Sequence, residues 1–318
     1  MTDRLWLLKI RERGLQIRAR LHFSALLLIT VFLLESCMVS TAPPPAKCGI
    51  AGTSSTLICD IPSEKLDNQI RRGKGSGYYL IDVEAYTKNN RSYCAGVWLP
   101  KIPPTEVTKN NLEDKELESW AAFQKTWRTL KSKNFRLRDI EIYNENGRRK
   151  VLAIWQSGKY GVKFRANILP GELEKVRKGM SNQGYYLVDF EPYRVKIPNK
   201  GRAIRFATVW RAGSSEQRYF ETKNAGDFKN TRDKLANEGY ELIDFEIYVD
   251  DNNTAKYVGV WRRGRANTRL WMRDKWANFS GKFKTFDAEK LFLIDLEIEP
   301  FKSGQIYSGV WSDTWETR

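Results

Sequence analysis

Two linked strings recur five times between residues 56 and 318, and this repetition constrains the fold more than any other feature of the chain. The first string reads Leu-x-Asp-x-Glu, and its carboxylates are Asp82 and Glu84, Asp139 and Glu141, Asp189 and Glu191, Asp244 and Glu246, and Asp295 and Glu297. The second string is a short run that ends in Trp98, Trp155, Trp210, Trp261 or Trp311. Five occurrences at a spacing of roughly fifty residues indicate one structural unit repeated along the chain.

Each unit is predicted to contain a helix, a β-hairpin and a short third strand. The first string alternates between two kinds of residue, which is the period of a strand with two different faces, and the tryptophan strand returns after a polar turn. Third strands are predicted at 217–221 and 269–272. Helices are predicted at 63–71, 117–131, 171–180, 227–237 and in the residues leading up to 290.

One such unit cannot cover its own apolar face, so neighbouring units must stack. The predicted fold class is therefore α+β, with five tandem strand–helix–hairpin repeats forming one closed or nearly closed ring-like domain, either propeller-like or barrel-like. A strand of the third type at 57–59 precedes the first helix, and we expect it to complete the fifth unit and so join the two ends. The approximate repeats are 56-99, 100-156, 157-211, 212-262 and 263-318.

Residues 1-36 are predicted to be a signal peptide. The apolar stretch 23–34 follows an arginine-rich segment and is too short to span a bilayer. The string Leu34-Glu35-Ser36-Cys37 resembles the lipobox of bacterial lipoproteins, and this resemblance implies that Cys37 is lipidated after cleavage. An ordinary secretory signal and an uncleaved anchor are the alternatives. Residues 37-55 are interpreted as the lipidated cysteine and a proline-containing tether.

The leader predicts a lipid-anchored protein of the bacterial cell envelope, either on the outer-membrane or periplasmic side or at the cell surface. Such a compartment is oxidising, which makes Cys48 and Cys59 a candidate disulfide. Cys94 takes the place of an apolar residue in other units and is interpreted as a small buried hydrophobe. No cysteine spacing predicts a metal site.

The charge balance and the histidine content limit the classes of function. The formal net charge is +16, which is compatible with a soluble cationic surface or with a site for a polyanion. The single histidine, His22, lies in the leader, so the rest of the chain has no histidine base or metal ligand. No cofactor is predicted.

The Leu-Ile-Asp-x-Glu string, the Gly-Val-Trp strand and the Trp-Arg-Ala-Gly turn at 210–213 resemble the bacterial tandem repeat that also forms the structural repeat of polyglycine hydrolases. The resemblance extends over about residues 56–318. In such hydrolases the repeat accompanies a serine-hydrolase domain similar to β-lactamases, whose Ser-x-x-Lys motif does not occur in this sequence. The resemblance therefore implies the repeat fold and an accessory or binding role, without catalysis.

The repeated residues are predicted to be mainly structural. A carboxylate present in every unit is more typical of hydrogen bonding within the fold than of a cation site or an acid/base pair. The repeated tryptophans are predicted to be core residues rather than platforms for sugars. Better candidates for recognition are the tryptophans outside the repeat pattern. Function is to be sought where the copies differ, which is in the long insert 101–118, the extended loop 194–202 and the stretch 271–286. The unrepeated tryptophans are Trp120, Trp127, Trp271, Trp276 and Trp315.

These observations favour a non-enzymatic envelope lipoprotein whose scaffold binds a cell-wall glycan, an anionic polymer or another envelope protein. The alternatives are a structural envelope component with no discrete ligand and a hydrolase that uses the repeated carboxylates. We expect membrane attachment through the lipid, a monomeric chain and no nucleic-acid partner.

Overall fold

The computed structural model describes residues 48–100, 102–112, 120–145, 148–197, 201–264, 267–301 and 304–315. The predicted signal peptide, Cys37 and the start of the predicted tether lie outside the described residues. Residues from 47 onward form one compact unit. Among the described residues, no helix has both the length and the apolar character needed to cross a membrane.

The described chain contains sixteen strands and five α-helices. Unit 1 comprises β1 (Gly49–Ala51), β2 (Thr56–Pro62), α1 (Leu66–Gly75), β3 (Tyr78–Lys88) and β4 (Arg91–Pro100). Unit 2 comprises β5 (Thr105–Asn111), α2 (Ala121–Ser132), β6 (Phe135–Glu145) and β7 (Arg148–Ser157). Short 3-10 turns at Ser63–Lys65 and Pro170–Glu172 precede the first and third helices.

The remaining three units follow the same order of elements. Unit 3 comprises β8 (Val162–Ile168), α3 (Leu173–Ser181), β9 (Tyr185–Ile197) and β10 (Gly201–Ala212). Unit 4 comprises β11 (Gln217–Thr222), α4 (Ala225–Asn237), β12 (Tyr240–Val249) and β13 (Ala255–Arg263). Unit 5 comprises β14 (Thr268–Asp274), α5 (Trp276–Ala288), β15 (Phe292–Phe301) and β16 (Gly304–Ser312).

Every unit forms its own antiparallel sheet with the tryptophan strand in the middle. The strand that precedes the helix pairs with one edge of the tryptophan strand, and the Leu-x-Asp-x-Glu strand pairs with its other edge. Unit 1 has a fourth strand, because β1 pairs with the outer edge of β2. β1 lies within the segment interpreted as a tether.

The expected fold class is wrong. The described residues are mostly β, with 56% in strands, and they form five separate small sheets, none of which is closed. The prediction of an α+β ring gave too much weight to the helices, whereas each unit has a single helix and at least three strands. The central strand pairs with two partners of the same unit, so strand pairing stays within the unit.

We expected the strand at 57–59 to complete the fifth unit, but it does not. It belongs to β2, which pairs with β4 of its own unit, while β14 takes the equivalent place beside β16. The first and fifth units are nevertheless in contact through side chains. Leu57 and Cys59 share a hydrophobic cluster with Phe279, Phe283 and Trp311.

The Leu-x-Asp-x-Glu strands β3, β6, β9, β12 and β15, here called the inner strands, lie beside one another. β3 contacts β6 and β15, β9 contacts β6 and β12, and β12 contacts β15. The inner strands therefore bring the repeated carboxylates of different units together without joining the sheets.

Two of the segments expected to be irregular contain regular strands. The 194–202 segment, predicted to be a loop, is the extended end of the β9–β10 hairpin, with residues 198–200 outside the described chain. The long insert at 101–118 contains β5, the third strand of unit 2. Both segments are regular because they pair with the central strand of their unit, β9 with β10 and β5 with β7.

Candidate functional site

The five repeated tryptophans lie in the core between the sheet and the helix of each unit. Each has at most 2% of its surface exposed. Trp155 contacts Phe123 of α2, and Trp261 contacts Phe228 of α4, with ring centroids 5.7 and 5.4 Å apart. Their position in the central strand removes them from any surface on which a sugar could stack.

In units 1, 4 and 5 a glycine two positions before the tryptophan makes room for the indole. A Cβ added at Gly96 would lie 2.6 Å from Cη2 of Trp98, and one added at Gly309 would lie 3.0 Å from the same atom of Trp311. In unit 3 the position is Thr208, whose hydroxyl accepts a hydrogen bond from Nε1 of Trp210 at 2.7 Å. The Gly-Val-Trp string is therefore a packing requirement.

Two of the repeated aspartates, Asp189 and Asp295, connect neighbouring units through the backbone. All five are buried, with 1 to 4% exposed. The amide of Ile140 donates to Oδ2 of Asp189 at 3.1 Å, and the amide of Phe245 donates to Oδ2 of Asp295 at 2.8 Å. In each case the carboxylate accepts from the inner strand of the preceding unit.

A β-bulge before each aspartate sets this geometry. In every inner strand, the pairing with the central strand skips the residue between the leucine and the aspartate. A bulge re-aims the side chains that follow it, so the carboxylate can point towards the neighbouring unit. The skipped residues are Ile81, Arg138, Val188, Ile243 and Ile294.

The five repeated glutamates form an electrostatically connected group. Burial raises the pKa of all five well above the usual value, and repulsion from neighbouring carboxylates raises it further. Glu141, Glu191 and Glu297 are buried, while Glu84 and Glu246 are half-buried. The amide of Ile142 donates to Glu191 at 3.1 Å, so this glutamate also links adjacent units.

The acidic group does not have the arrangement of a metal centre. In the part of the chain that the structure describes, no three His, Cys, Asp or Glu residues are grouped so that they could hold an ion. Carboxyl groups with raised pKa values are instead suited to being protonated and sharing hydrogen bonds.

The copies differ at a cavity of about 530 Å³ that is lined by residues directly after the repeated tryptophans of units 2, 3 and 4. Its polar lining includes Gln156 and Arg211, each the residue directly after a repeated tryptophan, and also Arg262, which follows Trp261. Units 1 and 5 have Leu99 and Ser312 at this position. The aromatic lining comprises Tyr160, Tyr186 and Trp315.

The two arginines of the lining are held in place by neighbours. The guanidinium of Arg211 lies over the ring of Tyr160, 3.9 Å from its centroid. Arg262 donates from Nε and Nη2 to Oε1 of the buried Glu241, at 3.0 and 2.6 Å. Burial raises the pKa of Tyr160, and the nearby Arg211 and Arg138 oppose this shift, so the phenol remains a neutral hydrogen-bonding group near neutral pH.

A third arginine lies behind the cavity. Arg138 is 3% exposed and stands at the bulge position where the other units have isoleucine or valine. It donates to the carbonyl of Ile81 at 3.1 Å, to Oε1 of Gln156 at 3.4 Å and to the carbonyl of Trp315 at 3.5 Å. These bonds join unit 1, unit 2 and the segment after unit 5.

Gln156 has a defined orientation because of Arg138. A guanidinium can only donate, so the amide oxygen of Gln156 must face it, and Nε2 must point elsewhere. Gln156 is 5% exposed, and its Nε2 has no hydrogen-bond partner among the described residues. A buried donor in this state is unusual. The residue itself lines the cavity.

The sequence analysis did not identify this cavity. One residue in the repeated Leu-x-Asp-x-Glu string did point to it, because Arg138 stands where the other four units have isoleucine or valine. Of the unrepeated tryptophans, Trp315 lines the cavity, whereas Trp120 and the half-buried Trp127 pack with Phe164 of unit 3 in a hydrophobic cluster shared by units 2 and 3. Trp276 packs on Tyr307, and Nε1 of Trp271 donates to Asp274 at 3.2 Å.

The cysteines of the described chain do not line the cavity. A disulfide joins Cys48 to Cys59 and so connects the start of the described chain to β2. Cys94 is free and fully buried, and burial raises the pKa of its thiol to about 12. A thiol in this state is unreactive at neutral pH.

Comparison with known families supports the resemblance drawn from the sequence. The model of one family, described as "Polyglycine hydrolase-like, structural repeat", matches residues 58–100, 119–158, 172–212 and 224–264. The family model matches four copies, whereas five were expected from the sequence. Unit 5 lies outside the matches, although its strands have the same order as those of the other units. No curated protein matches the chain in sequence. Because the four segments together cover just over half of the chain, the protein belongs to the family of the polyglycine hydrolase-like structural repeat.

Proposed function

We propose that this chain is a non-enzymatic lipoprotein of the bacterial cell envelope, whose repeat scaffold binds a partner at the cavity lined by Gln156, Arg211 and Arg262. The observation that supports the proposal is the concentration of unit-specific polar residues at this one place. The repeated carboxylates and tryptophans serve packing in all units, so they do not distinguish one position as a site. The residues that differ between units do distinguish one, because several of them line the same cavity.

The cavity has the composition of a binding site. Ligand sites are concave, with aromatic walls and a few polar groups that fix orientation. Here, three aromatic side chains accompany two arginines and a buried amide. In the residues that the structure describes, the cavity wall contains no histidine, cysteine or carboxylate. The lining therefore favours binding over hydrolysis.

The binding function is tested with the full chain, purified in mild detergent and immobilised. We expect it to retain an envelope component, with less retained as the salt concentration rises, because charged contacts are screened. Arg211→Gln should reduce retention. Lys234→Gln removes the same charge from the exposed face of α4 and should not. If both variants retain the envelope component equally, the cavity has no ligand and the protein is instead a structural component of the envelope.

The lipid anchor is tested separately. Wild-type cells should incorporate a labelled fatty acid into the chain, and Cys37→Ser should abolish both the label and the membrane fractionation. Continued membrane fractionation of the Cys37→Ser variant without label would indicate an uncleaved anchor instead.

A further inference from the structure

We infer that the outer edge of β8 binds an extended acidic peptide segment of another protein, which adds to the sheet of unit 3 as a fourth strand. One apolar side chain of the peptide enters a groove between β8 and α2, here called the α2–β8 groove. It has a volume of about 230 Å³ and is lined by Phe123, Gln124, Trp127, Arg128 and Phe164. This inference goes beyond the proposed function, because none of these residues lines the cavity beside Gln156.

The chain itself shows how an added strand is held at such an edge. β1 pairs antiparallel with the outer edge of β2, and Ile50 lies opposite Leu57. Side chains opposite one another in a sheet lie on the same face. Leu57 belongs to the hydrophobic cluster that contains Phe279 and Phe283 of α5, and Ile50 packs against the same cluster. The edge of unit 1 is therefore covered by a strand whose apolar side chain rests against the helix of unit 5.

The junction between units 2 and 3 has the same construction without the added strand. Phe164 of β8 pairs with Val209, which directly precedes a repeated tryptophan. Leu57 of β2 has the corresponding partner, Val97. Phe164 packs against Phe123 of α2, with ring centroids 5.0 Å apart. Among the described residues, β8 pairs with β10 alone, so its outer N–H and C=O groups are available to a further strand.

The α2–β8 groove lies where a strand added to β8 places its counterpart of Ile50. A peptide residue opposite Phe164 shares the face of that ring and so lies beside α2. Trp127 of α2 is half-buried there, with its ring centroid 6.2 Å from that of Phe164. Strand addition obtains affinity from main-chain hydrogen bonds and specificity from pockets for alternate side chains. The groove supplies such a pocket for one apolar side chain.

Two other junctions are built differently. Polar side chains connect the helix to the edge strand there. Lys74 of α1 forms an ion pair with Glu106 of β5 at 2.8 Å. Arg177 of α3 donates to the carbonyl of Gln217, the first residue of β11, at 3.4 Å. The aromatic lining of the α2–β8 groove therefore distinguishes the edge of β8 from these two edges.

The charge around the groove favours an acidic peptide. α2 contains three basic residues and β8 contains two, and neither element contains an acidic one. Lys163 and Arg165 flank Phe164, so their side chains lie on the other face of the edge. Lys163 donates to the amide of Gln183 and lies over the ring of Tyr185, and both partners are neutral. Basic edge residues repel a second copy of β8 and attract acidic residues directly opposite them.

The preferred peptide therefore has one apolar residue between two acidic ones. Fluorescence polarisation on the full chain in mild detergent tests this, with a labelled peptide of central sequence Thr-Glu-Ile-Glu-Thr as the probe. One comparison peptide has lysine in place of both glutamates, and another has serine in place of isoleucine. We expect at least about tenfold weaker binding of each. No binding of the probe, or equal binding of either comparison peptide, overturns the inference.

Backbone N-methylation tests whether the peptide binds as a strand. Alternate N–H groups of a strand point to the same edge, so methylating one alternate set should abolish binding, and methylating the other should leave it unchanged. Equal effects of both sets would rule out strand addition. Hydrogen exchange then locates the site. Amides of 162–168 should exchange more slowly with the probe bound, whereas those of 217–222 should not, and the reverse result would assign the peptide to another edge.

Arg165→Glu locates the charge contact. Arg165 is exposed, so the variant should keep the wild-type melting temperature. We expect it to bind the probe at least about tenfold more weakly and the lysine peptide more tightly than the wild type does. Lys229→Glu makes the same charge change at an exposed position of α4 and should bind the probe as the wild type does. Wild-type affinity of Arg165→Glu for both peptides would contradict the proposed pairing.

An acidic segment of the same chain is the competing occupant. Residues 113–119 lie outside the described chain and precede α2 in the sequence, and their acids are Glu113, Asp114, Glu116 and Glu118. A variant with the corresponding amides at these four positions should bind the probe with wild-type affinity. An increase of about tenfold or more would show that this segment competes for the edge of β8, and would overturn the assignment to another protein.

Discussion

Nη1 of Arg138 donates to Oε1 of Gln156 across 3.4 Å, within the core of unit 2. Both side chains are buried, and both replace an apolar residue that unit 1 has at the equivalent position, Ile81 and Leu99. Burying a guanidinium is costly unless its donors find acceptors. The pair therefore depends on both side chains together, and it turns the amide nitrogen of Gln156 away from the arginine, to a buried position where it has no hydrogen-bond partner among the described residues.

The link between units through the repeated aspartates should be visible in stability. Asp189→Ala removes the acceptor of the Ile140 amide and leaves a buried N–H unsatisfied, which we expect to lower the free energy of unfolding by about 1–3 kcal/mol. Asp189→Asn retains an acceptor oxygen and should lower it less. Urea unfolding followed by tryptophan fluorescence measures both. Asp67→Ala, at an exposed position of α1, is the control, and an equal loss in the control would contradict a specific role for Asp189.

Gly96 should not tolerate a side chain. Gly96→Ala places a methyl group 2.6 Å from the indole of Trp98, and we expect overpacking to cost about 1–3 kcal/mol. Gly171→Ala is the matched control, since nothing lies within 4 Å of the added Cβ. Thermal unfolding compares the two variants. A melting temperature unchanged by Gly96→Ala would show that the tryptophan can move, and that the Gly-Val-Trp pattern has another cause.

The glutamate group predicts lower stability at higher pH. Burial, followed by repulsion from Glu141 and Asp82, raises the pKa of Glu297 well above its ordinary 4.5, so the folded state binds the proton more tightly than the unfolded chain. The stabilisation is full below the unfolded pKa and is lost as the pH rises through the folded one. We therefore expect the melting temperature to fall as the pH rises above about 4.5.

A neutral side chain at Glu297 should weaken this pH dependence. Glu297→Gln cannot ionise, and we expect it to melt at or above the wild-type temperature at pH 8, with the difference shrinking towards pH 4. Glu289→Gln, on the exposed end of α5, should follow the wild-type profile. If Glu297→Gln shows the same pH profile as the wild type, the buried glutamates are not protonated in the folded state.

The contact between the first and last units has the opposite pH dependence. Asp287 of α5 accepts from the amides of Thr53 and Ser54 at 2.8 and 2.7 Å. Burial opposes ionisation of this carboxyl, but the donated hydrogen bonds outweigh it and hold the pKa below the usual value. Its stabilisation is therefore present above the unfolded pKa and is lost as the pH falls through the folded one.

Asp287→Ala should accordingly lower stability at neutral pH. The carboxylate is only half-buried, so we expect a loss of about 1–2 kcal/mol. The loss should diminish in acid, where the wild type also loses the interaction. Chemical unfolding at pH 7 and at pH 3 tests this. A loss of equal size at both pH values would indicate that packing, rather than charge, accounts for the contact.

Much of each unit could be predicted from the sequence because the information is local. Alternation in the Leu-x-Asp-x-Glu string identified the inner strands, and the predicted helix at 171–180 overlaps the 3-10 turn at 170–172 and α3. The glycines that end the helices could also be identified from the sequence. Gly77 and Gly239 follow α1 and α4 with φ of +77° and +81°, as expected for residues that end a helix in the left-handed conformation.

The errors concern pairing between segments that are far apart in the sequence. Strand 57–59 could have paired with the first tryptophan strand or with the last, since both present the same pattern of residues, and only the folded chain selects β4. The bulge before each aspartate was also unpredictable, because it depends on register between two strands. That bulge directs the carboxylate to the neighbouring unit.

The sequence by itself determined that the chain repeats one unit, that each unit contains a buried tryptophan strand, and that no histidine follows His22. These properties follow from composition and from periods along a single segment. Only the tertiary structure decided that Gln156, Arg211, Arg262 and Trp315 line one cavity. The physical reason is that these residues come from different units, and their proximity depends on how the sheets pack rather than on any local preference.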